Sequence, residues 1–159
     1  MEHRFETELR LPRPRTEVFA FFAAAGNLQK ITPPELGFRI VTPQGVVIRQ
    51  GSLLEYRLRL LGVPFTWVSR IVLWDPPHRF VDEQVRGPYK QWLHEHAFEE
   101  AGEGVTIIRD RLRYRLPLEP AGDLAFPLVR LQLARIFAYR RRAVSDLLLG
   151  AGAGPERSS

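Results

Sequence analysis

Phe5, Thr7, Leu9 and Leu11 alternate with charged residues, which predicts a first strand over residues 3–11. Pro12 and Pro14 end it, and Pro14 suits the first turn of a following helix, where its missing N–H costs nothing. Val18, Phe19, Phe22 and Ala23 supply the apolar stripe of that helix, and Gly26-Asn27 is expected to stop it. Leu28–Ile31 reads as a second short helical piece, closed by Thr32-Pro33-Pro34. The period then changes from helical to alternating. Six strands are predicted: Phe38–Thr42, Ser52–Leu61, Pro64–Trp74, Arg79–Arg86, Lys90–Glu99 and Val105–Leu116. The segments between them carry turn chemistry, such as Asp75-Pro76-Pro77, Gly87-Pro88 and Gly102-Glu103-Gly104.

After Pro120-Ala121-Gly122, Asp123 is placed to cap a helix running to about Leu149, with Pro127 tolerated near its start. Val129, Leu133, Ile136, Ala143 and Leu147 form its expected apolar stripe. Residues 150–159 contain no core-forming side chains and read as a disordered tail behind a single domain over 1–149. Short turns between long alternating strands imply an antiparallel meander, hence an α+β fold with a curved seven-stranded sheet. One long amphipathic helix can cover the buried face of such a sheet, and the space between them is a natural place for a ligand.

Composition narrows the setting. The 159 residues suffice for one domain with a sizeable core. There is no cysteine, so disulfides and thiolate metal sites are excluded. No signal-peptide apolar core stands at the N-terminus, and no run approaches the roughly 20 apolar residues of a membrane span, so a cytoplasmic protein without a transmembrane segment is expected. The formal charge is 23 − 18 = +5, and all but Lys30 and Lys90 of the cationic residues are arginines. These are spread over several strands and a helix without interleaved aromatics, which argues against a nucleic-acid partner. The arginine-rich outer side of the last helix, including Arg141 and Arg142, leaves room for weak contact with an anionic membrane surface.

The densest chemistry lies in Trp92, His94, His96 and Phe98, which share one face of their strand at a spacing of two. A His-X-His pair can give two ligands to a metal, but a third is needed. Asp82, Glu83 or Asp110 are the carboxylates within reach of such a set, and hydrogen-bonded histidines without metal are the preferred reading. The short loop after Arg86 pairs the flanking strands directly. An even-length loop sets Glu83 against His94, whereas an odd-length loop sets Asp82 against His94 and Gln84 against Trp92. Either way a carboxylate faces His94, as an ion pair or as a general-base dyad. Asp110 alternates with Thr106, Ile108, Leu112 and Tyr114, so it is expected to point inward and to need a partner. Arg140 interrupts the apolar stripe of the last helix and either reaches the cavity or snorkels at its edge.

Three segments carry a resemblance. Phe80 to Tyr89 with Trp92 to Phe98, Arg109 to Tyr114, and Arg135 to Arg140 resemble the bacterial cyclase/dehydrase-like, ligand-binding branch of the START-like helix-grip (SRPBCC) superfamily. The order of elements resembles that superfamily over nearly the whole chain. The resemblance implies a cavity for a small hydrophobic molecule: a lipid, an isoprenoid quinone or a polyketide-like aromatic. It implies no cofactor or metal, and leaves the oligomeric state open. The expected wall is Trp67, Trp92, Phe98, Tyr114 and Ile136, with residues of the two short helices. Gln84, His94, His96, Asp110 and Arg140 would orient the ligand. Alternatives from the same resemblance are a cyclase or dehydrase with His94 or Asp110 as base, and an assembly factor acting through its basic surface.

Overall fold

The computed structural model describes residues 1–43, 45–118 and 121–150. Seven strands form one antiparallel sheet: β1 (Glu2–Leu11), β2 (Arg39–Ile40), β3 (Leu53–Leu60), β4 (Val63–Asp75), β5 (Arg79–Arg86), β6 (Gln91–Glu100) and β7 (Thr106–Arg115). Their spatial order is β1-β7-β6-β5-β4-β3-β2, so consecutive strands are neighbours except that β1 closes against β7. Two short helices, α1 (Arg15–Ala23) and α2 (Gly26–Lys30), follow β1, and a 24-residue helix α3 (Phe126–Leu149) ends the described chain. Register shifts between Val68 and Ser69 and between Ile71 and Leu73 bend β4 against β5. The seven-stranded antiparallel α+β architecture matches the sequence expectation.

Several local expectations are corrected. The strand expected over Phe38–Thr42 shrinks to the pair Arg39 and Ile40, because the N–H groups of both Val41 and Thr42 converge on the carbonyl of Glu55. Two donors on one acceptor break the ladder at this sheet edge. Gly26-Asn27 does not stop α1; the chain turns at the extended Ala24, and Gly26 opens α2. Asn27 still serves the end of α1, since its Nδ2 donates 2.8 Å to the carbonyl of Phe21, an acceptor left over near the helix C-terminus. Asp123 does not cap the long helix. It lies in a 3-10 turn (Ala121–Ala125) and accepts from His3 at 3.1 Å and from the N-terminal amine at 3.3 Å, while α3 begins at Phe126 without a side-chain cap. Of the expected tail, residues 151–159 lie outside the described residues.

The buried face of α3 is Leu133, Phe137, Arg140 and Val144, spaced by four, three and four residues. Val129, Ile136 and Ala143 of the expected stripe are half-buried, and Leu147 is exposed. The stripe is rotated by one position because Arg140, not an aliphatic residue, occupies its centre. Arg141 and Arg142 face outward. Under α1 lies the main core: Val18, Phe19, Ile71, Phe80, Phe98 and Ile108 pack together, with Phe19 5.3 Å from Phe98 and 5.2 Å from Trp74. A second cluster of Leu112, Tyr114, Leu116, Leu133 and Phe137 sits under the first turns of α3. Among the described residues, no helix is long and apolar enough to cross a membrane. Phe19→Ala is expected to destabilise the fold by about 3–5 kcal/mol, the usual cost of emptying an aromatic core site. Exposed Leu128→Ala should stay within about 0.5 kcal/mol. Urea midpoints of the two variants check this.

Candidate ligand cavity and its polar wall

Between the concave face of the sheet, the two short helices and α3 lies a cavity of about 170 Å³. That exceeds the roughly 150 Å³ at which an apolar engineered cavity takes up benzene. Phe21, Phe22 and Leu28 from the short helices, Leu54, Leu58 and Trp67 from the middle strands, and Leu133, Ile136 and Phe137 from α3 make most of its wall apolar. Most of its polar side chains come from the sheet and α3, namely Ser69, Tyr56, Asp82, His94, His96 and Arg140, while Asn27 and Thr32 by the short helices bond the backbone of Phe21 and Leu28.

The sheet register creates this cluster. Gly87, Pro88 and Tyr89 separate the expected strands, so the odd register holds and Asp82 pairs with His94. On the other side of β6, His96 pairs with Asp110. Both imidazoles point inward and are buried, with 5% and 4% exposure, as is Asp110 with 6%. The side chains then reach diagonally. His96 donates from Nε2 to Asp82 Oδ2 (2.9 Å) and from Nδ1 to Asp110 Oδ1 (3.1 Å). His94 donates from Nε2 to Asp110 Oδ1 (2.9 Å), while its Nδ1 lies 3.9 Å from Asp82 Oδ2, too far for a hydrogen bond. Arg140 Nη2 approaches Asp110 Oδ1 at 3.7 Å and His96 Nδ1 at 3.2 Å. Both nitrogens are donors once His96 is protonated, so they share the carboxylate rather than bond each other.

The electrostatics follow from this geometry. Burial alone would raise both carboxyl groups. The hydrogen bond from His96 and the charges of the neighbouring histidines and Arg140 outweigh it and hold Asp82 below the usual range. At Asp110, burial is overcome by the Arg140 charge and by hydrogen bonds from both histidines, and the carboxyl falls well below the usual range. His96 is pushed up: burial opposes its charge, but hydrogen bonds to Asp110 and Asp82 win. His94 is pushed down by burial and by the charge of His96, against the pull of Asp110. Both carboxyl groups are thus held toward the ionised form, His96 toward its charged form and His94 toward its neutral one. A second relay meets Asp82: Trp67 Nε1 donates to Ser69 Oγ (3.1 Å), Tyr56 Oη lies 2.8 Å from that oxygen, and Ser69 donates to Asp82 Oδ1 (3.4 Å). Burial pushes the Tyr56 hydroxyl far up, so it stays protonated.

Asp82, His94 and His96 also bring a carboxylate and two imidazoles within 4.8 Å of one another, a spacing a metal ion can use. In the structure His96 Nε2 lies 2.9 Å from Asp82 Oδ2, and its Nδ1 lies 3.1 Å from Asp110 Oδ1.

Of the residues expected at the site, Trp67, Trp92, His94, His96, Ile136 and Arg140 line the cavity, and Asp110 stands behind the histidines. Arg140 is buried, its guanidinium carbon 5.1 Å from the ring centre of Phe22 and 5.8 Å from that of Phe137, so it does not snorkel. Three expected residues lie off the wall. Phe98 belongs to the core under α1. Gln84 spends both ends of its amide on the backbone of Tyr89, in the space a side chain at Gly87 would need. Tyr114 is fully buried beneath the start of α3, its hydroxyl without a hydrogen-bond partner among the described residues. Tyr56 and Ser69 were missed. A serine between Trp67 and Ile71, on an otherwise apolar strand face, was the available signal.

No protein-family model matches the sequence, and no curated protein matches it. Solved structures do match by fold. A START superfamily protein from Mycobacterium smegmatis is similar with a TM-score of 0.71 and 11% identity, over 92% of this chain and 97% of that one. Norcoclaurine synthase from Thalictrum flavum is similar with a TM-score of 0.69 and 15% identity, over 94% and 88%. The same enzyme in complex with dopamine and hydroxybenzaldehyde gives 0.68 and 16%, over 97% and 90%. The chain has the START-like helix-grip fold.

The charge assignment has a consequence for stability. A histidine whose folded pKa is raised stabilises the fold fully below its unfolded value near 6.5, and loses that contribution as pH rises through the folded value. His94, shifted down, changes its contribution only below about 6.5. Between pH 6.5 and 9 the unfolding free energy is therefore expected to decline, and His96→Gln should flatten the decline. Urea melts across that range check this; an equally steep mutant would place the titrating proton elsewhere.

Proposed function

We propose that this protein binds a small, largely apolar molecule between its sheet and α3, oriented by the Asp82–His94–His96 wall. The carrying observation is a largely apolar cavity into which a linked set of polar side chains, Asp82, His94, His96 and Arg140, converges, the pattern of a ligand pocket. A lipid, an isoprenoid quinone or a polyketide-like aromatic are candidates of suitable chemistry. The similarity of fold supports a pocket but not a particular ligand, since a fold hosts many functions.

A second reading is an enzyme of cyclase or dehydrase type. It is favoured by His94, whose Nδ1 has no hydrogen-bond partner within reach on Asp82 while Nε2 is anchored by Asp110, the arrangement of an oriented general base. In that reading Arg140 would polarise a carbonyl. The similarity to norcoclaurine synthase, an enzyme on this fold, keeps the reading open. An assembly role through the exposed arginines of α3 would leave the pocket idle.

Native mass spectrometry of the purified protein is expected to reveal a co-purified small molecule. Ile136→Trp, which fills the cavity from α3, should lower its occupancy at least tenfold while circular dichroism stays native. Full occupancy in that variant would move the binding site elsewhere. Turnover of a ligand that is abolished by His94→Gln would establish the enzyme instead.

A further inference from the structure

A count of hydrogens on the polar wall restricts what the cavity can hold. Ser69 has one hydroxyl hydrogen, and it goes to Asp82 Oδ1. Tyr56, 2.8 Å from Ser69 Oγ, must then donate to it, as Trp67 Nε1 also does. Three donors therefore feed one chain that ends on Asp82. On the other side, His96 Nε2 gives its hydrogen to Asp82, and its Nδ1 lies 3.1 Å from Asp110 Oδ1 and 3.2 Å from Arg140 Nη2. His94 gives its one hydrogen to Asp110. What remains on the cavity wall, among the described residues, is His94 Nδ1 without a donor, 3.9 Å from Asp82 Oδ2, which accepts from His96 alone, and one buried donor of the same cluster, Arg140 Nε, without an acceptor. His94 Nδ1 faces the cavity with its lone pair unused, so a ligand that brings a hydrogen gains a bond there.

Charge points the same way. Asp82 and Asp110 already share Arg140 and His96, so a neutral guest adds no charge to the cluster. A carboxylate would bring an uncompensated charge up to Asp82. The rest of the wall suits a flat ring: Trp67 and Trp92 stand edge to face at 5.0 Å, with Tyr89 4.7 Å from Trp92.

We propose that the ligand is a neutral ring compound carrying a phenolic or enolic hydroxyl, which donates its hydrogen into the gap between Asp82 and His94. The proposal rests on the reading of the cavity as a ligand site, and it ranks a hydroxyl donor above a carboxylate at the Asp82–His94 gap.

One ring system tests it. The full-length protein is titrated with 2-naphthol, naphthalene, 2-methoxynaphthalene and 2-naphthoate, following the fluorescence of Trp67 and Trp92. A hydrogen bond to a charged acceptor contributes about 1.5–3 kcal/mol, so 2-naphthol is expected to bind at least tenfold tighter than naphthalene. The methoxy compound keeps the oxygen but lacks the hydrogen and should fall back to the naphthalene level. Asp82→Asn should reduce the preference for 2-naphthol over naphthalene to under threefold. Equal affinities for 2-naphthol, its methyl ether and naphthalene would overturn the hydroxyl while leaving an apolar site. Tighter binding of 2-naphthoate would overturn neutrality. No binding by any of the four would remove the cavity as a ligand site altogether. The methoxy comparison stands on wild-type protein alone, so it decides the matter even if Asp82→Asn fails to fold.

Discussion

The structure depends on two carboxylates held across one strand. Asp82 on β5 and Asp110 on β7 flank β6, and the imidazole of His96 joins them through both of its nitrogens. Neither carboxylate is tolerable in the interior alone, and neither is a charged histidine. Together with Arg140 they set opposite charges within reach of one another. The cluster sets more than its own geometry. Arg140 comes from α3, so the cluster also ties the helix to the sheet at a fixed height. On either side of Arg140, Phe137 and Val144 bury the same face of the helix. The cavity exists because the helix is held there rather than collapsed onto the middle strands.

Such a cluster is a poor way to gain stability. Well-packed apolar side chains of the same volume are often as good or better. Its value lies in what an apolar core does not provide: fixed orientation of hydrogen-bonding atoms beside a greasy space. Asp110 turns His94 so that one nitrogen is spent behind the wall and the other is presented at it. The aromatic packing reinforces this, since Phe80 stacks on His96 at 4.2 Å and holds that ring in plane. A site whose polar atoms are fixed by their own partners loses little entropy when a ligand arrives.

Much of the fold was legible in the sequence because alternation and turn residues are local. Six of the seven strands and the long helix followed from period and punctuation alone. The inward direction of Asp110 followed from its neighbours Ile108 and Leu112. What was not legible depended on contacts between distant segments. Whether Asp82 or Glu83 meets His94 turns on a single residue of loop length. Tyr56 and Ser69 join the wall because β3 and β4 pair and Ser69 reaches across to β5, which no local pattern states. Arg140 was ambiguous because an arginine within an apolar stripe has two destinations, and only a buried carboxylate opposite it decides between them. Asp123 was assigned to the nearest helix end. A histidine 120 residues away competes for it better.

The pairing of β1 with β7 carries a consequence for how the chain is made. Glu2 faces Arg115 and Leu11 faces Thr106 across that ladder, so among the described residues the first strand pairs with the last one alone. On a ribosome, β1 emerges first and must wait for nearly the whole sheet to be synthesised before its backbone is paired. Loop closure over such a span is entropically slow, and folds dominated by distant pairings form late. The alternating charges of β1, Glu2, Arg4, Glu6, Glu8 and Arg10, lie on the side that stays in water. They give the nascent strand a soluble, weakly aggregating edge during that delay. The same residues that look like an ordinary solvated face in the finished protein are its protection before it is finished.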